Sequence, residues 1–212
     1  MTEFLVVCDV DSTLINEEVI DLLAEVAGVG AEVAGITERA MRGELDFASS
    51  LAARVALLDG LTVEALGVVA DSITVTTGAQ DLVNAVHAAD GEIIAVSGGF
   101  HEILDPLGAK LGLDDWSANR FEVIDGVLTG KLVGPIIDST AKARILEHSA
   151  TARGISLAKT IAVGDGANDL EMMRAAGISV AFCAKPIVSE QADVSINQRD
   201  LSAVASLFGR TT

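Results

Sequence analysis

The chain has no tyrosine and a single tryptophan, and aromatic residues make up 3% of its 212 positions. Its interior must therefore be built from alanine, valine and leucine, which suits tightly packed helices on a parallel sheet. Basic residues are also scarce: 14 Lys and Arg stand against 31 Asp and Glu, for a net charge of −17. Phosphate backbones are gripped by Lys and Arg patches, so no nucleic-acid partner is expected. The acidic balance reads instead as a solubility device. Only two cysteines occur, Cys8 and Cys183, each in an apolar strand-like run. That excludes a disulfide framework and predicts buried, inert thiols. No apolar stretch approaches the roughly 20 residues of a membrane span. The N-terminus lacks a basic region followed by an apolar stretch and a small-residue cleavage site. No membrane partner is expected, and the cytoplasm is the expected compartment.

What is present is a chain that is 50% apolar, enough for one good core or a core with a small appended domain. The first apolar run, Phe4-Leu5-Val6-Val7-Cys8, has the pattern of a strand buried on both faces. It stops at Asp9, and Asp11 follows two residues on. Open α/β sheets bind ligands at the carboxyl ends of their strands. If the backbone stays extended through Val10, the two acids point the same way.

Helical patterns follow without a strand. Asn16 is a candidate cap for a helix carrying Val19, Leu22, Leu23, Val26 and Ala27, and Val33, Ile36 and Ala40 mark a second. Asp46 caps a third with Phe47, Leu51, Val55 and Leu58 on one face, and Thr62 opens a fourth. These helices read as an inserted four-helix-bundle cap over the sheet's carboxyl edge, spanning 14–76. The α/β core is then 1–13 and 77–212, a Rossmann-like parallel sheet flanked by helices. In it, Ile93-Ile94-Ala95-Val96 ends at Ser97-Gly98-Gly99, and Thr160-Ile161-Ala162-Val163 ends at Gly164-Asp165-Gly166. A hairpin turns at Asp125-Gly126. A strand is expected over 178–182, a short one over 194–196, and a last helix carries Leu201, Val204 and Phe208.

Three strands thus deliver Asp9, Ser97 and Asp165 to one edge. Ser97, Gly98 and Gly99 offer a hydroxyl and unhindered N–H groups at the mouth of a helix, which suits phosphate. Lys142 shares a helix face with Ile145 and Leu146, an unusual place for an unpaired lysine. Asp9, Asp165 and Asp169 are hard oxygen donors of the kind Mg²⁺ prefers. Together these parts imply phosphoryl transfer. Asp9 would attack phosphorus, and Asp11 would act as general acid and then general base. Lys142 and Ser97 would neutralise and orient the transferring group.

Asp9-Val10-Asp11-Ser12-Thr13, Ser97-Gly98-Gly99, Lys142 and Gly164-Asp165-Gly166-Ala167-Asn168-Asp169 resemble, in order, the four motifs of the haloacid dehalogenase superfamily of phosphatases. Within it, 41–47, 50–55 and 181–186 are similar to the branch that hydrolyses O-phospho-L-serine, the last step of serine biosynthesis. The resemblance implies Mg²⁺ held by Asp9, Asp165, the main-chain carbonyl of Asp11, and Asp169 directly or from behind. It implies that Glu18, Arg54, Met41 and Phe47 surround the amino-acid end of a small-molecule substrate, with Ser97, Gly98, Gly99, Lys142 and Asn168 around the phosphate. Glu18 would meet the ammonium. Arg54, projecting from the apolar side of its helix, would clamp the carboxylate through two parallel hydrogen bonds. No N-terminal regulatory domain is expected, and the chain would act as a monomer or homodimer. Three other readings stay open: transfer of the phosphoryl group to homoserine or another alcohol, hydrolysis of another small phosphomonoester, and a receiver-type phospho-aspartate signalling module. The three histidines, His87, His101 and His148, and Trp116 are expected to be structural.

Overall fold

The computed structural model describes residues 2–210. Seven strands form one sheet: β1 (Leu5–Cys8), β2 (Glu92–Phe100), β3 (Asp115–Ile124), β4 (Val127–Val133), β5 (Thr160–Gly164), β6 (Ile178–Phe182) and β7 (Val194–Ile196). Their order is β4-β3-β2-β1-β5-β6-β7. Every pair is parallel except the hairpin β3–β4 at one edge. The alternation along each strand separates two apolar layers. Val6, Cys8, Ile93, Ala95, Ile161 and Val163 belong to one layer; Leu5, Val7, Ile94, Val96 and Ala162 belong to the other. Burial on both faces explains the unbroken apolar runs.

Between β1 and the first core helix lie α1 (Val19–Ala27), α2 (Gly30–Met41), α3 (Phe47–Ala56) and α4 (Val63–Ser72). Asp46 accepts from Ser49 N–H at 2.7 Å and caps α3 as its sequence predicts, a contribution of about 1 kcal/mol. Asn16 does not cap α1. Val19 N–H donates instead to Asp11 Oδ1 at 2.8 Å, so a carboxylate of the site holds the positive end of the helix. The apolar interior of these four helices runs without a break into one layer of the sheet, through Leu14, Ile15, Val19, Leu51 and Val55.

The remaining helices are α5 (Ala79–Ala88), α6 (His101–Leu111), α7 (Ser139–Ala152), α8 (Leu170–Ala175) and α9 (Pro186–Ser189). Two segments differ from expectation. The strand expected to end at Ser97-Gly98-Gly99 runs on through it, and these residues form the irregular end of β2, with a register shift against β3 between Val96 and Phe100. Leu201–Arg210 is a 3-10 rather than an α-helix; Leu201, Val204 and Leu207 are buried at intervals of three, the period of that helix. Cys8 is buried, and Cys183 is only half-buried, with φ +46° where the chain leaves β6. No helix among the described residues is long and apolar enough to cross a membrane.

Candidate active site

Asp9 has the parity of Leu5 and Val7, and this carries its side chain to the sheet face covered by α7. There Lys142 Nζ donates to Asp9 Oδ1 at 2.5 Å and to Asp169 Oδ1 at 2.7 Å, and Lys142 is 0% exposed. Asp138 caps α7 by accepting from Ala141 N–H at 2.8 Å, which fixes the turn that presents Lys142. Asp169 Oδ2 accepts from the N–H groups of Asp165 and Gly166 at 3.1 and 3.0 Å. Asp169 therefore uses both oxygens on the protein, tying the lysine to the loop after β5.

Beyond Cys8 the chain does not continue as a straight strand. A wide turn is closed by Ile15 N–H on Val10 O at 3.0 Å, and Ser12 takes φ +56°. Asp11 nevertheless returns to the space in front of Asp9, and both line one cavity of about 200 Å³. Asp11 Oδ2 accepts from Ser97 Oγ at 3.1 Å, and that oxygen accepts from Gly99 N–H at 2.8 Å. Ser97 is buried and acts through Asp11 and Gly99, whereas Gly98 and Gly99 line the cavity. A Cβ on Gly99 would stand 2.7 Å from Asp11 Oδ2, so a larger residue there displaces the acid.

Glu18, Arg54 and Phe47 line the cavity from the helices above, and Asp165 and Asn168 line it from the loop below. Arg54 Nε donates to Ser50 O at 3.3 Å, and the guanidinium makes no ion pair with a carboxylate among the described residues. Met41 is not brought to the site. It ends α2 at 73% exposure and does not line the cavity, because Gly43 turns the chain at φ +76° and Arg42 pairs with Glu44 at 2.7 Å in solvent.

Two contributors escaped the sequence reading. Asn119 is buried in β3 and donates through Nδ2 to Gly98 O at 2.8 Å and Gly99 O at 3.2 Å, holding both carbonyls. No motif marks it; only the neighbouring of β2 and β3 does. Lys185 lines the cavity just past β6. It could have been found from its place after a predicted parallel strand. Of the histidines, His87 pairs with Asp114 and His101 with Asp105, which also accepts from Trp116 Nε1 at 2.8 Å, all outside the cavity.

The electrostatics are those of a site with too much negative charge. Burial, and then Asp169, push Asp9 above the usual carboxylate range, against the pull of Lys142. Burial works against the Lys142 ammonium, but Asp169 and Asp9 outweigh it and hold it protonated well above an ordinary lysine. Both partners rise because one ammonium is shared by two buried acids. Burial also raises Asp11, against hydrogen bonds from Val19 and Ser97. Asp165 is raised to about 6 by burial and by Asp169, and Glu18 to about 7 by burial and by Asp11. One oxygen each of Asp9, Asp165 and Asp169 lie within 4.8 Å of one another. Hard oxygen donors, crowded and short of positive charge, fit a small divalent cation.

The chain belongs to the haloacid dehalogenase-like hydrolases, whose family model matches residues 6–174. More narrowly, it is 52% identical over 204 residues to the phosphoserine phosphatase of Streptococcus thermophilus, covering 96% of this chain and 95% of that one. It is 49% identical to the phosphoserine phosphatase of Streptomyces coelicolor over 98% of this chain, and it spans half the length of that relative. Its fold is similar to a solved phospho-aspartyl intermediate analogue of phosphoserine phosphatase, with a TM-score of 0.91, 44% identity, and 97% of this chain and 99% of that one covered.

Proposed function

We infer that this chain hydrolyses O-phospho-L-serine to serine and phosphate with Mg²⁺ as cofactor. The observation that carries the reading is one cavity in which Asp9 and Asp11 face Glu18 and Arg54, a phosphoryl-transfer pair opposite groups of the right charge for an amino acid. The helices over 14–76 serve as the unit that reads the substrate, and the two segments 1–13 and 77–212 as the unit that does the chemistry.

Asp9, Asp165 and the main-chain carbonyl of Asp11 are the residues that would hold Mg²⁺, with Asp169 behind them. When bound, the ion screens the repulsion between the Asp9 carboxylate and the phosphate and draws charge from the phosphoryl oxygens. Lys142 holds Asp9 Oδ1, so the other oxygen is left to attack phosphorus in line. The bond from phosphorus to the serine oxygen breaks, and Asp11, whose carboxyl burial pushes above the ordinary range, gives a proton to that oxygen. Asp11 then takes a proton from the water that attacks the aspartyl-phosphate. The Asp9–phosphorus bond breaks and inorganic phosphate leaves. Gly98 and Gly99 line the cavity beside Asp11 and, having no side chains, leave room there for the transferring phosphoryl group. Asp11 also separates this enzyme from a receiver module, which has no such acid to speed turnover.

Phosphate release measured over phospho-amino acids and sugar phosphates with Mg²⁺ tests the reading. Phosphoserine is expected to be turned over fastest; a preference for sugar phosphates would overturn it. Homoserine added to the assay, followed by product analysis, shows whether phosphate or a phosphorylated alcohol is formed. Arg54→Ala should lower kcat/KM for phosphoserine about 10²–10³-fold, the cost of losing a bidentate charge-assisted contact. It should leave p-nitrophenyl phosphate, which has no carboxylate, within a few-fold of the unmodified protein.

The acid response follows from Glu18. Its pKa near 7 makes it neutral below that pH, so its attraction for the substrate ammonium is present above about pH 7 and lost as pH falls. KM for phosphoserine, divided by the inhibition constant of phosphoglycolate at the same pH, should rise as pH is lowered from about 8 to about 6. Phosphoglycolate shares the phosphate and carboxylate, so the ratio cancels their titration. In Glu18→Gln the ratio should be high and flat; a sloping ratio in that variant would remove Glu18 from the role.

A further inference from the structure

The two stretches that lead into and out of α1–α4 pair with each other. Ile15 and Val75 form an antiparallel bridge. Asn16 N–H donates to Thr74 O at 3.0 Å, and Thr74 N–H donates to the two Glu17 carboxylate oxygens at 3.2 and 3.1 Å. Arg199, in the segment after β7, closes over this ribbon from the far end of the chain. Its Nη1 donates to Asn16 Oδ1 at 3.0 Å and its Nη2 to Ser12 O at 3.2 Å, with the guanidinium carbon 5.9 Å from the centre of the Phe182 ring. In so acidic a chain an arginine is expected on a carboxylate. Arg199 makes no such ion pair among the described residues and spends its donors on uncharged oxygens.

Ser12 is what this fork holds. Its φ of +56° lies in the left-handed region that side chains with a Cβ avoid. Such a conformation persists only where the surroundings impose it, and it tends to mark functional sites. Three ties impose it here. Ser12 N–H donates to Glu17 O at 3.1 Å, Ser12 Oγ donates to Glu18 Oε1 at 2.8 Å, and the Ser12 carbonyl is held by Arg199. The first two are local, within six residues. The third is the long-range one, reaching the Ser12 carbonyl from 187 positions away. Without it, Ser12 keeps only its two local ties, both to the segment that carries Glu18.

We propose that Arg199 is a positioning residue for the end of the cavity that receives the substrate ammonium, acting through Ser12 on Glu18. The assignment rests on the phosphoserine reading of the cavity. A forked planar cation suits the task because one group must reach two acceptors in divergent directions; the single ammonium of lysine serves only one of them at a time.

The test is a comparison of Arg199→Ala, Arg199→Lys, Glu18→Gln and the double variant Arg199→Ala/Glu18→Gln in the full chain with Mg²⁺. Arg199→Ala should raise KM for phosphoserine about tenfold, the scale of one lost charge-assisted contact, and hold kcat within about threefold. Inhibition by phosphoglycolate should be unchanged, and Arg199→Lys should recover part of the loss. The cycle should be strongly non-additive, with Arg199→Ala adding almost nothing once Glu18 is Gln. A purely structural role would lower the melting temperature and weaken both ligands equally, and that result, or full additivity with Glu18→Gln, overturns the assignment. If the unmodified chain shows no preference for phosphoserine, the reading of the cavity fails and the assignment with it. If the preference is present and survives Arg199→Ala at an unchanged KM, the assignment alone fails.

Discussion

Asp9→Asn protein should release phosphate from phosphoserine at roughly 10⁻⁴ to 10⁻⁶ of the unmodified rate, the loss seen when a covalent nucleophile is removed from an intact site. It should also remain folded, with a melting temperature at or above that of the parent. The second expectation is what makes the first informative. Asp9 is buried beside Asp169, and burial together with that neighbour already disfavours its charge. The amide removes the charge, keeps an oxygen for Lys142, and leaves the 2.7 Å contact of Lys142 with Asp169 in place. Acid quenching of the parent during turnover of radiolabelled phosphoserine should trap label on the protein in a form released by hydroxylamine, as an acyl phosphate is. Asp9→Asn should trap none. Activity retained by the variant, or equal labelling in both, would end the nucleophile assignment.

The core half of the site was legible because its residues sit at strand ends, and strand ends are announced by where apolar runs stop. Asp9, Asp165 and the Ser97-Gly98-Gly99 segment could be placed at one edge with no knowledge of strand order. Lys142 was legible for a different reason: a charge on an apolar helix stripe needs a partner, and the structure supplies Asp9 and Asp169. The helical half was harder to read. Arg54 and Phe47 were found and do line the cavity, but Met41, given by resemblance alone, stands in solvent. Helix periodicity says which face is apolar, not which end of the helix reaches the sheet. Asn119 and Arg199 were invisible because their partners lie in other elements: Gly98 on the neighbouring strand, and Ser12 at 187 positions' distance. Polar side chains that bind main-chain groups follow no spacing rule. The cap of α1 was misassigned for a related reason, since Asp11 takes a helix terminus that the nearer Asn16 was expected to hold.

Lys142→Met should damage the fold and the chemistry together. The lysine is fully buried, and its ammonium is the only cation bonded to Asp9 and Asp169 among the described residues. Removing one member of a buried, hydrogen-bonded charge group leaves the others unpaired, at a cost of about 3–5 kcal/mol. Methionine fills much of the volume, so the loss measures charge rather than a cavity. The damage should depend on pH in a definite direction. With the ammonium gone, the carboxyl of Asp9 rises further above its value in the unfolded chain. A group raised on folding stabilises the native state below its unfolded pKa and loses that contribution as pH rises through the folded value. The difference in unfolding free energy between parent and variant, from denaturant titrations without Mg²⁺, should therefore be smallest in acid and grow as pH rises through the folded value of Asp9. Activity should fall at least about 10³-fold at every pH, because a protonated Asp9 cannot attack and one donor to the transferring charge is missing. Lys142→Arg should not restore it, since a planar guanidinium does not fit a slot closed on all sides around a point charge. A stability difference that is independent of pH would mean that the lysine is held by packing rather than by its two acids. Asp9 would then lose the partner that keeps it ionised, and the case for an anionic nucleophile would fall with it.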